Sequence, residues 1–213
     1  DLHVEKFIPN MSKKEKKYAT NLILASWAGF TIILDQASKE SPKIHEYLSA
    51  LIPLLSPDDL NKAIEIDTSS NSDNQKYVNL KYLVYYAANF YANCGNYDGT
   101  YKTKFIPRLS KESLCELTPP SIQHLLNDCI DDMYSLENGN ISLGFSPKGI
   151  TSYYSPRTIT EEEVNKVNKV IIDNKIKLEN TKIIRDDEKH RYNVLLPSIQ
   201  IDNEGEQIGE VEI

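Results

Sequence analysis

The chain has 213 residues, 40% of them hydrophobic and 26% charged, which is enough apolar material for a sizeable core and excludes a disordered chain. Acids outnumber bases 31 to 24, and the formal charge of −7 argues against unspecific binding to a nucleic-acid backbone. No apolar run reaches the roughly 18 residues of a membrane span; the longest, Leu22 to Leu34, is interrupted by Ser26, Gly29 and Thr31.

The sequence opens Asp1-Leu2-His3-Val4-Glu5, without an initiator Met or a basic-then-apolar leader, which predicts a trimmed chain. Ser12 and Glu15 have capping-box spacing and predict a helix to about Gln36. Its apolar positions Tyr18, Leu22, Ala25, Gly29 and Ile32/Ile33, widened by Trp27 and Phe30, predict a helix enclosed on most sides, with Lys13 to Lys17 on a solvated face. Ser41-Pro42 predicts a second helix with Ile44, Tyr47, Leu48, Leu51 and Ile52 inward, and Ser56-Pro57-Asp58-Asp59 a short third. Asp67 to Gln75 is rich in Ser, Asn and Asp and reads as a loop. Lys76 to Cys94 predicts a helix striped by Leu80, Leu83/Val84, Ala87/Ala88 and Tyr91, with Gly95 in the left-handed position that ends many helices. Pro119-Pro120-Ser121 predicts a fifth helix to about Leu136.

After Asn138 the texture changes, with Gly139, Gly144, Pro147 and Gly149 close together. Residues 150–154 read as a β segment, and Thr160-Glu161-Glu162-Glu163 opens a helix with Val164, Val167, Val170/Ile171 and Ile172 inward. Thr181 to Arg185 and Arg191 to Ile201 read as a hairpin, and Ile208 to Ile213 as one more strand. The expected class is α+β: a mostly helical part, 1–138, and a mixed part with strands, 139–213, within one structural domain.

The histidines His3, His45, His124 and His190 include no pair four or five apart, and no two cysteines stand close, so no zinc site built within this chain is expected. Cys94, Cys115 and Cys129 are odd in number and widely spaced, which fits a reducing, cytoplasmic setting better than a disulfide framework. There is no nucleophile elbow, phosphate loop or dinucleotide fingerprint. No catalytic residue and no metal ligand are therefore assigned. One segment has functional texture: Gly95 to Pro107, where polar and aromatic residues alternate. Two readings stand for it, a loop lining a binding site or a loop pinned by Tyr97 and Phe105 packing onto the helices.

Several segments, in order, resemble the dipeptidyl peptidase III family of zinc exopeptidases. They are Lys16-Lys17-Tyr18-Ala19 through Ala25-Ser26-Trp27-Ala28-Gly29; Tyr47-Leu48-Ser49-Ala50-Leu51; Tyr85-Tyr86-Ala87-Ala88 to Tyr91-Ala92-Asn93; Gly95-Asn96-Tyr97; Thr103-Lys104-Phe105-Ile106-Pro107; Lys148-Gly149-Ile150-Thr151-Ser152-Tyr153-Tyr154-Ser155; and Tyr192-Asn193-Val194. The resemblance implies the amino-terminal, non-catalytic, lower-lobe portion of a longer two-lobed enzyme, with strands contributing to a β-barrel-like core. It implies removal of dipeptides from the amino terminus of short peptides, with zinc and a His-Glu-x-x-Gly-His helix held by the other lobe and none bound by this chain. Short peptides and the missing second lobe are the implied partners; no nucleic acid and no membrane are expected. The cleft-side candidates are Asn96, Tyr97, Thr100, Tyr101, Lys104, Phe105, Gly149 and Tyr153. The chain departs from the family in one place: Asp98-Gly99-Thr100-Tyr101-Lys102 stands where Lys-Ser-Phe-Gly-Asp is usual, so Thr100 takes the aromatic position unless Tyr101 substitutes by a local shift. The alternative is a standalone peptide- or protein-binding scaffold without catalysis.

Overall fold

The computed structural model describes residues 5–66, 74–137, 139–145, 149–151, 153–156, 158–177 and 181–195, with the backbone of Leu196 and of 206–212. Helix α1 (Lys13–Ala37) starts at Ser12, whose hydroxyl accepts from the Glu15 amide while the Glu15 carboxylate accepts from the Ser12 amide at 2.7 Å. Only Phe30 and Leu34 of this helix are buried. Tyr18, Leu22, Trp27 and Ile32 are 70, 54, 55 and 49% exposed, so the expected enclosure is corrected: neighbours cover only the last turns. Periodicity shows which residues share a face, but what covers that face is a matter of tertiary packing.

Helix α2 (Ser41–Leu51) buries Ile44, Tyr47, Leu48 and Leu51, and the Tyr47 hydroxyl shares a 2.8 Å hydrogen bond with Thr118 Oγ1. Ile52, expected inward, begins a 3-10 turn and is exposed. Helix α3 (Pro57–Glu65) is capped by Ser56 and packs on α4 (Gln75–Asn93). Most of the expected 67–75 loop lies outside the described residues. Helix α4 buries Val78, Leu80, Leu83, Tyr86, Ala87 and Phe90, a stripe turned slightly from the expected one. The left-handed residue after it is Cys94, φ 53°, and not Gly95. Gly95 has φ 148°, and a Cβ there would lie 3.1 Å from Ser41 Oγ and 3.3 Å from Ala37 Cβ. Glycine is needed there for its backbone angle and for the close approach to the α1–α2 corner.

A helix the sequence did not announce, α5 (Lys111–Leu117), is capped by the Ser110 hydroxyl accepting from the Ser113 amide. It is short and buries only Leu114, too little to show a period. The single helix expected from Pro119 to Leu136 is three pieces: a 3-10 turn at Pro120–Ile122, α6 (Gln123–Asn127) and α7 (Ile130–Tyr134). Leu126, Cys129 and Met133 from these pieces reach the core, where they join Leu34, Tyr47, Leu48 and Phe90 in one apolar cluster.

The second cluster lies between one helix and a sheet. Strand β1 (Tyr154–Ser155) pairs parallel to β2 (Lys182–Asp186) after crossing through α8 (Glu161–Asp173); β2 pairs antiparallel to β3 (Arg191–Leu196), and β3 to β4 (Glu206–Glu212) with an irregularity at Val194/Leu195. Val164, Val167 and Ile171 of α8 lie against Ile183, Tyr192 and Val194. In place of the expected 150–154 strand, Ile150 forms an isolated bridge with Leu143 and the strand is Tyr154–Ser155. The β-barrel-like core is also corrected. The sheet has the order β1-β2-β3-β4 and stays open among the described residues. An edge strand of two residues leaves too little ladder to close the ring.

Candidate functional site

The 96–105 loop is built around one buried carboxylate. Glu40, just before α2, offers Oε1 to Lys104 Nζ at 3.0 Å, Asn96 Nδ2 at 3.1 Å and the Tyr97 hydroxyl at 3.4 Å. The Glu40 and Lys104 side chains are 5% and 1% exposed. Burial pushes the Glu40 carboxyl up, but the Lys104 charge and the hydrogen bonds from Asn96 and Lys104 outweigh it, so the group lies below its ordinary value. Lys104 also donates to the Asp132 carbonyl at 2.6 Å, and the Tyr97 hydroxyl to the Asn140 carbonyl at 3.1 Å. Asn96 Oδ1 accepts from the Ser38 and Ser41 hydroxyls, both at 3.2 Å. The cluster ties the α1–α2 corner, the loop, α7 and the 139–145 segment together.

Three of the cleft candidates, Asn96, Tyr97 and Lys104, are thereby committed to holding the loop. Phe105 packs its ring on Tyr86 at 5.7 Å between centroids, so the pinning of the loop by Tyr97 and Phe105 is observed. Thr100 and Tyr101 form the exposed tip, Tyr101 at 78% exposure, and both amides donate to Asp98 Oδ1, at 2.9 and 2.7 Å. Gly149 is buried, and a Cβ there would be 2.8 Å from both Gly144 N and Ser142 O. It reaches the loop indirectly: Ile150 donates to the Ser142 carbonyl, and the Leu143 amide to that of Lys102. Tyr153 lies just before β1, at the edge of the sheet, and its carbonyl accepts from Ile183 N at 2.9 Å.

Lys102 sits at φ 57°, a conformation that favours glycine. Its side chain is exposed. Lys102→Gly is therefore expected to stabilise the chain by about 0.5–1 kcal/mol, read from the urea midpoint.

Between α4 and the loop runs a groove of about 460 Å³, floored by Tyr86 and Phe105 and walled by Tyr82, Tyr85, Asn89, Asn93, Asp98, Thr103, Ile106 and Arg108. Of the sequence candidates only Phe105 lines it. Tyr82, Tyr85, Asn89 and Asn93 recur at helical steps of three and four, a legible signal that the apolar stripe beside it masks. Two side chains on this wall are committed locally: Asn89 Nδ2 donates to the Tyr85 carbonyl at 2.8 Å, and Asn93 Oδ1 accepts from the Gly99 amide at 3.0 Å. The tyrosine rings and the exposed Arg108 guanidinium remain as a surface for flat, partly polar ligands carrying a carboxylate.

Among the described residues no three His, Cys, Asp or Glu side chains gather as a metal would require, so these residues do not fit a zinc centre. Burial pushes the Cys129 thiol up to about 12, which leaves no thiolate for nucleophilic attack at neutral pH. No helix of the described residues is long and apolar enough to cross a membrane.

Comparison with known proteins gives a consistent result. The model of peptidase family M49 matches residues 125–212. Dipeptidyl peptidase 3 of Dictyostelium discoideum is 33% identical over 192 residues, 88% of this chain and 26% of its own length. The protein of the same name from Mus musculus is 30% identical over 201 residues, 89% of this chain and 26% of its length, and that from Homo sapiens 32% identical over 161 residues, 71% and 21%. The chain thus spans about a quarter of the length of these relatives. Identity carried along most of the chain, joined by the family match across its strand-bearing part, makes it a member of peptidase family M49.

Proposed function

We propose that this chain is a non-catalytic portion of a zinc-dependent dipeptidyl peptidase that removes dipeptides from the amino terminus of short peptides. In this reading it is the amino-terminal, lower-lobe part and supplies one wall of the peptide cleft. The observation that carries it is the tyrosine-walled groove between α4 and the 96–108 loop, in a chain of this family. Tyrosine rings offer flat, amphipathic area at low entropic cost, and Arg108 is placed to take a peptide carboxylate. Thr100 and Tyr101 stand at the exposed loop tip, and Gly149 and Tyr153 shape the segment beyond it. Asn96, Tyr97 and Lys104 act by holding the loop through Glu40. Zinc and its general base belong to the second lobe, contributed by polypeptide outside the matched quarter. The division into 1–138 and 139–213 is supported by the two separate apolar clusters. A cytoplasmic setting is supported by three cysteines that are all free thiols.

The 213-residue chain incubated with zinc and a tetrapeptide is expected to release no dipeptide, measured by mass spectrometry over hours. Zinc-dependent release of the amino-terminal dipeptide would overturn the non-catalytic assignment.

A further inference from the structure

The tip of the 96–105 loop holds a bond with chemistry of its own. Asp98 is followed by Gly99, the only Asp-Gly pair in the sequence. Glycine lacks the side chain that elsewhere shields a main-chain amide, so the Gly99 nitrogen can attack the protonated side-chain carboxyl of Asp98. The attack joins N to Cγ and expels one water, made of the carboxyl hydroxyl and the amide proton. Water then opens the succinimide ring. Opening at the main-chain carbonyl leaves isoaspartate, in which the chain runs through Cβ and Cγ of residue 98. The water lost is regained, so the mass is unchanged and no other reactant is needed.

Both reacting groups are engaged elsewhere in the fold. The Gly99 amide donates to Asn93 Oδ1, at the end of α4, at 3.0 Å. Asp98 Oδ1 accepts from the Thr100 and Tyr101 amides at 2.9 and 2.7 Å. The main chain of Asp98 is fixed as well: its amide donates to the Thr103 carbonyl at 2.8 Å, and its carbonyl accepts from the Lys102 amide at 2.7 Å. For the ring to close, the Gly99 nitrogen must leave Asn93 and the carboxyl must turn from its two amides, so the reaction waits on local opening. Water is at hand, since Gly99 and Thr100 are exposed. Asn93 is braced in turn, its Nδ2 donating to the Asn89 carbonyl at 2.9 Å. It ties the bond to a helix, whereas Thr100, Tyr101, Lys102 and Thr103 belong to the loop itself.

We propose that Asp98-Gly99 is a latent site of isoaspartate formation, which Asn93 keeps closed in the folded chain. Isomerisation inserts a carbon into the main chain beside the groove and takes the carboxylate off the Thr100 and Tyr101 amides. The altered residue is a substrate for methyltransferases that esterify isoaspartate with the methyl group of S-adenosylmethionine. The inference stands apart from the peptidase reading, since its test involves no peptide ligand.

The test is to age the full chain at neutral pH, native and in guanidinium, and to follow isoaspartate at residue 98 by enzymatic methylation and peptide mapping. Any signal from Asn138-Gly139 is set apart, because deamidation there changes the mass. The native chain is expected to react about tenfold or more slowly than the denatured one. Asn93→Ala removes the acceptor but is a better helix former, so native circular dichroism is kept while the native rate rises several-fold. Asn93→Asp, which keeps an oxygen there, is expected to stay near wild type. Hydrogen exchange of the Gly99 amide in the unaltered chain reads the same protection without a substitution, and is expected to be slowed by about tenfold or more. A native chain that isomerises as fast as the denatured one, or a Gly99 amide exchanging at its unfolded rate, would overturn the proposal. So would a natively folded Asn93→Ala variant that forms isoaspartate no faster than wild type.

Discussion

Lys104→Met is expected to destabilise the chain by about 3–5 kcal/mol, because it leaves the Glu40 carboxylate buried without its counter-charge. Surface ion pairs contribute little, but here both groups are almost wholly out of water, and three donors converge on one oxygen. The sign of the pH dependence follows from the direction of the shift. In the native chain the Glu40 carboxyl lies below its ordinary value, so its contribution is fully present above the unfolded carboxyl pKa, about 4.3, and is lost as pH falls through the lower folded value. In Lys104→Met the remaining effect of burial pushes that carboxyl up. The deficit of the variant is therefore largest at neutral pH and shrinks towards pH 4. Urea unfolding of both proteins across that range measures it. A deficit under about 1 kcal/mol at pH 7 would mean that the pair is solvated and the loop is not anchored through Glu40.

The second large effect is at Glu163. Its carboxylate closes the capping box of α8, accepting from the Thr160 amide at 2.7 Å, and reaches across to Arg185 Nη1 and the Tyr192 hydroxyl, both at 2.8 Å. One side chain thus fastens α8 to β2 and β3. Partial burial pushes its carboxyl up, but the Thr160 bonds, then those from Tyr192 and Arg185, bring it down to about 2. Glu163→Ala is expected to lose about 2–3 kcal/mol, since the group is partly screened by solvent. The loss is complete above about pH 4.5 and disappears as the pH falls towards 2. Glu162→Ala, one residue earlier and paired with Lys166 on the exposed face, is expected to change stability by less than about 0.5 kcal/mol. Equal effects at the two positions would show that the cap and cross-links do not hold the second cluster together.

The contrast between these neighbours shows what could be read before the fold was known. Helix starts are local chemistry, so Ser12 with Glu15 and Thr160 with Glu163 gave their elements directly. The hairpin of β2 and β3 was legible for the same reason, as alternating residues around a polar turn. What covers α1 was not legible, because apolar spacing looks the same whether a neighbour is present or absent. The broken helix after Pro119 was hidden for a different reason: Leu126, Cys129 and Met133 follow at steps of three and four, as they would on one unbroken rod, so their spacing carries no mark of the breaks. The loop stands out in the sequence by its mix of aromatics and polar groups, but the structural roles within it do not. Asn96, Tyr97 and Lys104 became anchors only because Glu40, about 60 residues earlier, meets them. No sequence spacing reveals a partner at that distance. The groove wall on α4 was hidden differently, by the stronger apolar stripe on the same helix.

The account rests on a peptide lying in the groove between α4 and the loop. Its most direct test is a titration of isotope-labelled chain with an unlabelled tetrapeptide, followed by backbone amide shifts. Shifts concentrated on residues 82–108, with affinity no tighter than about millimolar because one wall alone holds the peptide, are the expected result. Shifts gathered on the sheet of residues 154–196 with the groove silent, or nanomolar binding by this chain alone, would contradict it.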